Sequence, residues 1–407
     1  MTDKPINRIL VVSLLLSGSA LSVMSTDLYT PSLPHLPKLL NTSAEMVQLT
    51  LVCNILAFGL AQLFLGPLSD KIGRRPVFIG GILLFTVFSL ACGLATSIGN
   101  LILARTLQGA AGAAEAVMFL AVLTDIFDEK SRVKVMAIYG VLFAIAPGVA
   151  PLIGGHIHVN FGWRANFYLL SAIAAIVVFI TIFALPETGS KKPDALKRHV
   201  LLGNYMQLLK NRGFMLYSLM LALVSAILFA FIVEAPFILI DHFGVATEHF
   251  GYYQLGVIVV YAIGSFASMR LINHISSDAL LKWGMILVVV GTLLLLAPEL
   301  WASQGKWAFM AAFAVIMFAT GPLWSVLPAV GMSQATTATG SAAALFGAIE
   351  ISGGGLGAAL AMSLHDGATL SLAITELILV VLLVGLYVLS ARLNLKVNRV
   401  SENTAFP

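Results

Sequence analysis

The stretch Gly66-Pro67-Leu68-Ser69-Asp70-Lys71-Ile72-Gly73-Arg74-Arg75-Pro76 is short and polar, and strongly apolar runs lie on both sides of it. Lipid has no water to solvate a charged turn or its backbone. Such a stretch therefore reads as a loop joining two membrane-spanning helices, and it sets the topology on either side.

Composition agrees with a membrane protein. Of 407 residues, 59% are hydrophobic and 10% charged, and the mean hydropathy is +0.96. A soluble chain carries about a quarter charged residues. In a soluble protein the net charge of +4 would suggest nucleic acid. Here it reflects loops that collect Lys and Arg, so no nucleic-acid partner is expected. Cys53 and Cys92 are isolated in apolar runs and read as small core residues, not as a disulfide framework or a metal site. Lys4 and Arg8 precede an apolar run with small residues at 17–20, as in a signal peptide. The run continues to Leu28, long enough to span, so an uncleaved first helix is expected.

Apolar runs of spanning length fall at 9–33, 45–68, 76–96, 99–127, 132–159, 164–185, 214–240, 248–270, 279–298, 306–330, 338–363 and 368–393. The expected fold is an all-α integral membrane protein of twelve helices in two six-helix halves. The N-terminal bundle covers 1–185, a cytoplasmic linker 186–213 and the C-terminal bundle 214–407, as a duplicated six-helix unit would. Of 23 Lys and Arg residues, only Lys38, Arg164 and Lys306 lie on one side and Arg105 lies within a helix. The rest share the other side, which the positive-inside bias makes cytoplasmic, with both termini. No Walker-type Gly-rich Lys motif is present, which speaks against ATP-driven transport, and no enzymatic constellation stands out.

Charges at membrane depth are costly and usually face the bundle interior. Asp27 and Arg105 each lie about six residues, roughly 9 Å, from the outer end of the first and fourth spans. At equal depth they are expected to pair, as a proton- or substrate-linked site or as a structural ion pair. Glu115 is deeper in the fourth span, where a lone carboxylate suits proton coupling or recognition of a cationic or hydroxyl-bearing ligand. Glu234, in the seventh span before Pro236, and Glu350, beside Gly353-Gly354-Gly355, are weaker candidates for the same role. Glu376 is expected to be solvated. Asp125 stands at the cytoplasmic end of the fourth span, level with the loop, so Asp70, Arg74 and Asp125 are expected to form a conformational latch. The fifth span carries Pro147, Gly148, Pro151, Gly154 and Gly155. Small residues permit close approach and the prolines a kink; this helix and the glycine-rich eleventh are expected to slide or bend against each other.

These segments carry a family resemblance across the whole chain. Gly66, Asp70, Gly73, Arg74 and Arg75 resemble the loop between helices 2 and 3 of major facilitator transporters. Arg105-Thr106-Leu107-Gln108-Gly109 is similar to the helix 4 motif R-x-x-Q-G of the twelve-helix drug:proton antiporters, whose arginine the family links to proton coupling. Pro147 to Gly155 resembles the helix 5 antiporter motif, with Ala150 where a glycine is expected. Asp27-Leu28-Tyr29-Thr30-Pro31 looks like the D-x-Y-x-P segment of the bicyclomycin/chloramphenicol exporter (Bcr/CflA) group.

The resemblance implies a multi-pass protein of the bacterial cytoplasmic (inner) membrane. It implies drug/H+ antiport by alternating access, with amphipathic drugs such as chloramphenicol-type antibiotics as partners. Asp27, Tyr29 and Arg105 would form its site, in a cavity that is largely apolar and aromatic. The expected molecule is a monomer without cofactor or metal, driven by the proton motive force. The alternative is a proton-coupled exporter of a native metabolite such as a sugar, amino acid or siderophore.

Overall fold

The computed structural model describes residues 7–189, 198–272, 274–296, 305–335 and 339–393, except for the side chains at 129, 130, 133, 137, 141–144, 198–202 and 339. Of the cations used for orientation, Lys4, Lys191, Lys192, Lys197, Lys396 and Arg399 lie outside these residues, as do the side chains of Lys130 and Arg198.

Twelve helices among the described residues are long and apolar enough to cross a membrane. In chain order the helices are α1 (Arg8–Asp27), α2 (Leu36–Leu39), α3 (Ala44–Ile72), α4 (Arg74–Leu94), α5 (Ile98–Ile126), α6 (Glu129–Phe161) and α7 (Arg164–Ala184). They continue as α8 (Arg198–Lys210), α9 (Arg212–Pro236), α10 (Phe250–Leu271), α11 (Ser277–Leu295), α12 (Gly305–Ser333), α13 (Thr339–Ser363) and α14 (Thr369–Arg392). Polar residues mark many starts: Ser43, Ser97, Asp128, Asn211 and Ser276 each accept a backbone N–H from the first turn.

Three differences from the sequence expectation matter. The stretch 66–72 is not a loop, because α3 runs through Pro67 to Ile72 and the chain leaves helical geometry only at Gly73. Its φ of 114° and ψ of 158° suit glycine alone, so a single residue makes the break. The first span is longer than expected, since a 3-10 turn (Thr30–His35) and α2 extend α1 to Leu39. Pro31, Pro34 and Pro37 hold φ in the helical range while removing N–H donors, which favours this tight irregular continuation. Finally, the linker contains α8.

Two compact units divide the chain, Met1–Asn204 with Ala246–Gly251, and Tyr205–Val245 with Tyr252–Pro407. In the first, α5 packs against α1, α3 and α4 and is more than half buried across its apolar window. In the second, α9 packs against α12, α13 and α14 and is the most buried span. Outer helix faces stay apolar. Leu83, Leu84, Val87, Leu90 and Leu94 of α4 are exposed, as are Phe179 and Phe183 of α7. Water would penalise so large an apolar surface, whereas lipid solvates it.

Candidate functional site

In the first unit the end of α1 and the residues just after it meet α5; Asp27, Tyr29 and Arg105 are all buried there, with exposures of 3%, 0% and 0%. Arg105 Nη1 donates to Ser25 O at 3.0 Å and to Gln108 Oε1 at 2.5 Å. Ser25 O is in the last turn of α1, where carbonyls lack intrahelical donors and the helix dipole favours a cation. The guanidinium also lies over the rings of Tyr29 (4.9 Å to the centroid) and Phe167 (5.8 Å). The Tyr29 and Thr50 hydroxyls hydrogen-bond. Arg105 Nε and Nη2 have no hydrogen-bond partner, so the guanidinium keeps donor capacity in a dry site.

Gln108 orients this arginine. It shares a face with Arg105 at i,i+3 and is anchored by donating Nε2 to Ser89 Oγ at 2.7 Å. The motif spacing carried that signal, yet only the arginine was singled out from it. On the opposite flank Asn54 Nδ2 of α3 donates to Arg105 O at 2.8 Å. Deeper in α5, Glu115 is fully buried and neither carboxylate oxygen has a hydrogen-bond partner.

At the α3–α4 join the expected cluster forms. Arg74 Nη1 meets Asp70 Oδ1 at 2.6 Å, and Arg74 Nε meets Asp125 Oδ2 at 3.3 Å. Sequence reasoning missed Glu187, just after α7. Its Oε1 accepts the Arg74 N–H at 2.7 Å and the Gly189 N–H at 3.1 Å. Thr188 Oγ1 donates to Asp125 at 3.2 Å, and Arg75 Nη2 to Ile182 O at 2.6 Å. The segment Pro186-Glu187-Thr188 thus ties the end of α7 to the start of α4. Its signal was one acid directly after an apolar run. Gly66 has only an ordinary contact with Val117.

Helix α6 continues through Pro147 and Pro151. Gly148 is buried. A Cβ on Gly154 would lie 1.6 Å from Leu28 O, and one on Gly155 2.7 Å from Thr247 O. The glycines of α13 approach α9, Gly353 against Ala222 and Gly357 against Ala226. Each glycine set therefore serves close packing inside its own unit.

Three acids of the second unit, Glu234, Glu350 and Glu376, are singled out in the sequence. Glu234 is fully buried, its Oε2 hydrogen-bonded to His365 Nδ1 at 2.7 Å, a partner the sequence did not suggest. Glu350 Oε1 accepts from Trp324 Nε1 at 3.0 Å. Glu376 is not solvated as expected. It is fully buried against the packed side of α14, and neither of its oxygens has a hydrogen-bond partner. Among the described residues no group of three or more His, Cys, Asp or Glu could hold a metal ion.

Comparisons with known proteins agree with this architecture. The Major Facilitator Superfamily model matches residues 15–396. A bicyclomycin resistance protein homolog of Haemophilus influenzae is 28% identical over 93% of this chain and 95% of its own length. A chloramphenicol resistance protein of Pseudomonas aeruginosa is 32% identical over 78% of this chain and 75% of its own. The crystal structure of a bacterial homolog of the human lysosomal transporter Spinster covers 96% of this chain and 98% of its own. Its TM-score is 0.74 at 18% identity, a likeness of fold.

Proposed function

The chain belongs to the Major Facilitator Superfamily, and from that premise we propose that it exports amphipathic drugs in exchange for protons. It is a multi-pass transporter of the bacterial inner membrane rather than an enzyme, and its curated relatives are drug-resistance transporters. The observation that carries the finer reading is the buried corner of Asp27, Tyr29 and Arg105. Arg105 is fully buried and its Nε and Nη2 have no hydrogen-bond partner, so the guanidinium keeps donors for a carboxylate or a bound substrate. Ionised Asp27 accepts a hydrogen bond or charge contact from a substrate hydroxyl or cationic group, and a proton arriving on Asp27 removes that acceptor and expels the substrate. Proton and substrate thereby compete for one site, which is what exchange requires. Glu115, on α5 with Arg105, is a second proton carrier. Substrate range follows the relatives: neutral amphenicol-like drugs first, lipophilic cations second.

With both termini cytoplasmic, the Asp70–Arg74–Asp125 cluster latches the cytoplasmic end of the first unit while the transporter is open outward. The molecule functions as a monomer, with the proton gradient as its energy source.

The test uses purified protein in liposomes with an imposed pH gradient. Asp27→Asn keeps the side-chain volume and removes the titratable group. It is expected to abolish chloramphenicol accumulation against a gradient while the protein stays folded. Undiminished uphill transport by that variant would overturn the assignment. Binding of a sugar or amino acid, without binding of chloramphenicol or tetraphenylphosphonium, would replace the drug reading with metabolite export.

A further inference from the structure

Glu350 differs from the other acids of the second unit. It is half-buried, and its one hydrogen bond is the Trp324 indole N–H, on Oε1. It has no Lys, Arg or His partner among the described residues. A carboxylate at membrane depth is normally neutralised by a cation of its own protein. Here one oxygen stays available and no such cation is supplied.

The surroundings are aromatic. The Tyr261 ring meets the Trp324 ring edge-to-face, centroids 5.6 Å apart and planes at 80°. Its hydroxyl lies within electrostatic reach of Glu350. All three side chains are half-buried rather than sealed in the packing. They come from α10, α12 and α13, and backbone contact holds two of these helices together. A Cβ on Gly264 would lie 2.2 Å from Phe318 O, and one on Gly321 2.4 Å from Ser265 N. Tyr261 and Trp324 stand one turn from those glycines, so their ring contact is built into the helix packing.

We propose that Tyr261, Trp324 and Glu350 form a recognition subsite for the cationic head of an amphipathic drug. The indole and phenol rings supply electron-rich surfaces for the cation, and Glu350 supplies the opposite charge. The indole N–H, by donating to Oε1, keeps the carboxylate oriented until the cation arrives. A neutral drug has no use for the charge and depends only on the rings. The proposal rests on the drug-export reading and adds a substrate class to it.

The experiment measures equilibrium binding of tetraphenylphosphonium and of chloramphenicol to full-length protein in detergent, with thermal unfolding as the folding control. Glu350→Gln keeps the shape and an acceptor for Trp324 and removes the charge. It is expected to weaken the cation about tenfold or more and chloramphenicol less than about twofold. Glu350→Asp, which retains the charge, is expected to keep most of the cation affinity. Trp324→Phe, which retains a ring and drops the N–H, should bind the cation better than Trp324→Ala.

Unchanged cation affinity in a folded Glu350→Gln protein overturns the subsite, as do equal losses for both ligands. Should Glu350→Gln fail to fold, the Trp324 pair decides, and equal affinities in Phe and Ala overturn the proposal. Wild-type protein that binds chloramphenicol but not the cation overturns the subsite and leaves drug export standing; binding of neither overturns both.

Discussion

Arg105 makes its contacts in three directions at once: the end of α1 through Ser25 O, its own helix through Gln108, and the Tyr29 and Phe167 rings by stacking. A lysine ammonium has a single nitrogen and no planar face, so it cannot reproduce this. Each hydrogen bond of a charged group is worth about 1.5–3 kcal/mol when buried, or at least roughly tenfold in rate if it acts in transport. Arg105→Lys should therefore lower initial rates of drug efflux about tenfold or more. A wild-type rate would show that charge alone suffices. The glycines offer a second residue-scale comparison. Alanine at Gly154 would drive its Cβ into Leu28 O, whereas nothing lies within 4 Å of one at Gly80. Overpacking costs about 1–3 kcal/mol, while replacing a helical glycine by alanine at an open site gains about 0.5–1 kcal/mol. Gly154→Ala is expected to lower the melting temperature in detergent, and Gly80→Ala to leave it equal or higher.

Between elements, the α3–α4 join shows how one glycine and a few charges hold two helix ends. Gly73 makes the break, Asp70 and Asp125 hold the Arg74 side chain, and Glu187 holds its backbone. The Glu187 carboxylate occupies the space where a residue-73 Cβ would be, 2.2 Å from its Oε2. Glu187→Ala removes the acceptor of two backbone amides. Hydrogen exchange at Arg74 and Gly189 should accelerate about fivefold, the equivalent of a net ~1 kcal/mol hydrogen bond. Unchanged protection would mean that the join is held without Glu187. Packing also decides the fate of Glu376 on α14. An acid with no hydrogen-bond partner that is removed from water costs about 1–3 kcal/mol. Glu376→Met, of similar volume, is expected to raise thermal stability, and a large loss would assign this acid a role that the packing does not reveal.

At the scale of the whole transporter, the proposed latch would act as a bias on a two-state equilibrium. A half-exposed charge pair contributes up to about 1 kcal/mol, which moves a population ratio about fivefold. Asp125→Ala should shift the molecule toward the state open to the cytoplasm. Paired spin labels, one in each unit, read that shift as a change in distance distribution, and identical distributions would contradict the latch.

Much of the fold was legible because lipid imposes a strict rule: a spanning segment must be about 20 apolar residues of helix. That rule fixes number and order of helices, and it picks out Asp27, Arg105 and Glu115 as expensive residues that need a reason. Local pattern could also place Arg105 and Gln108 on one face. Common depth paired Arg74 with Asp125, but it could not find Glu187 for Arg74, His365 for Glu234 or Trp324 for Glu350, because depth does not say which helix faces meet. Nor could it separate a buried acid from a solvated one: Glu376 reads as outward in sequence and is enclosed by its neighbours in space. Composition and periodicity thus determined that this chain crosses a membrane twelve times and where its costly charges fall. Tertiary packing alone decided which of those charges are satisfied, because satisfaction depends on which helix faces meet.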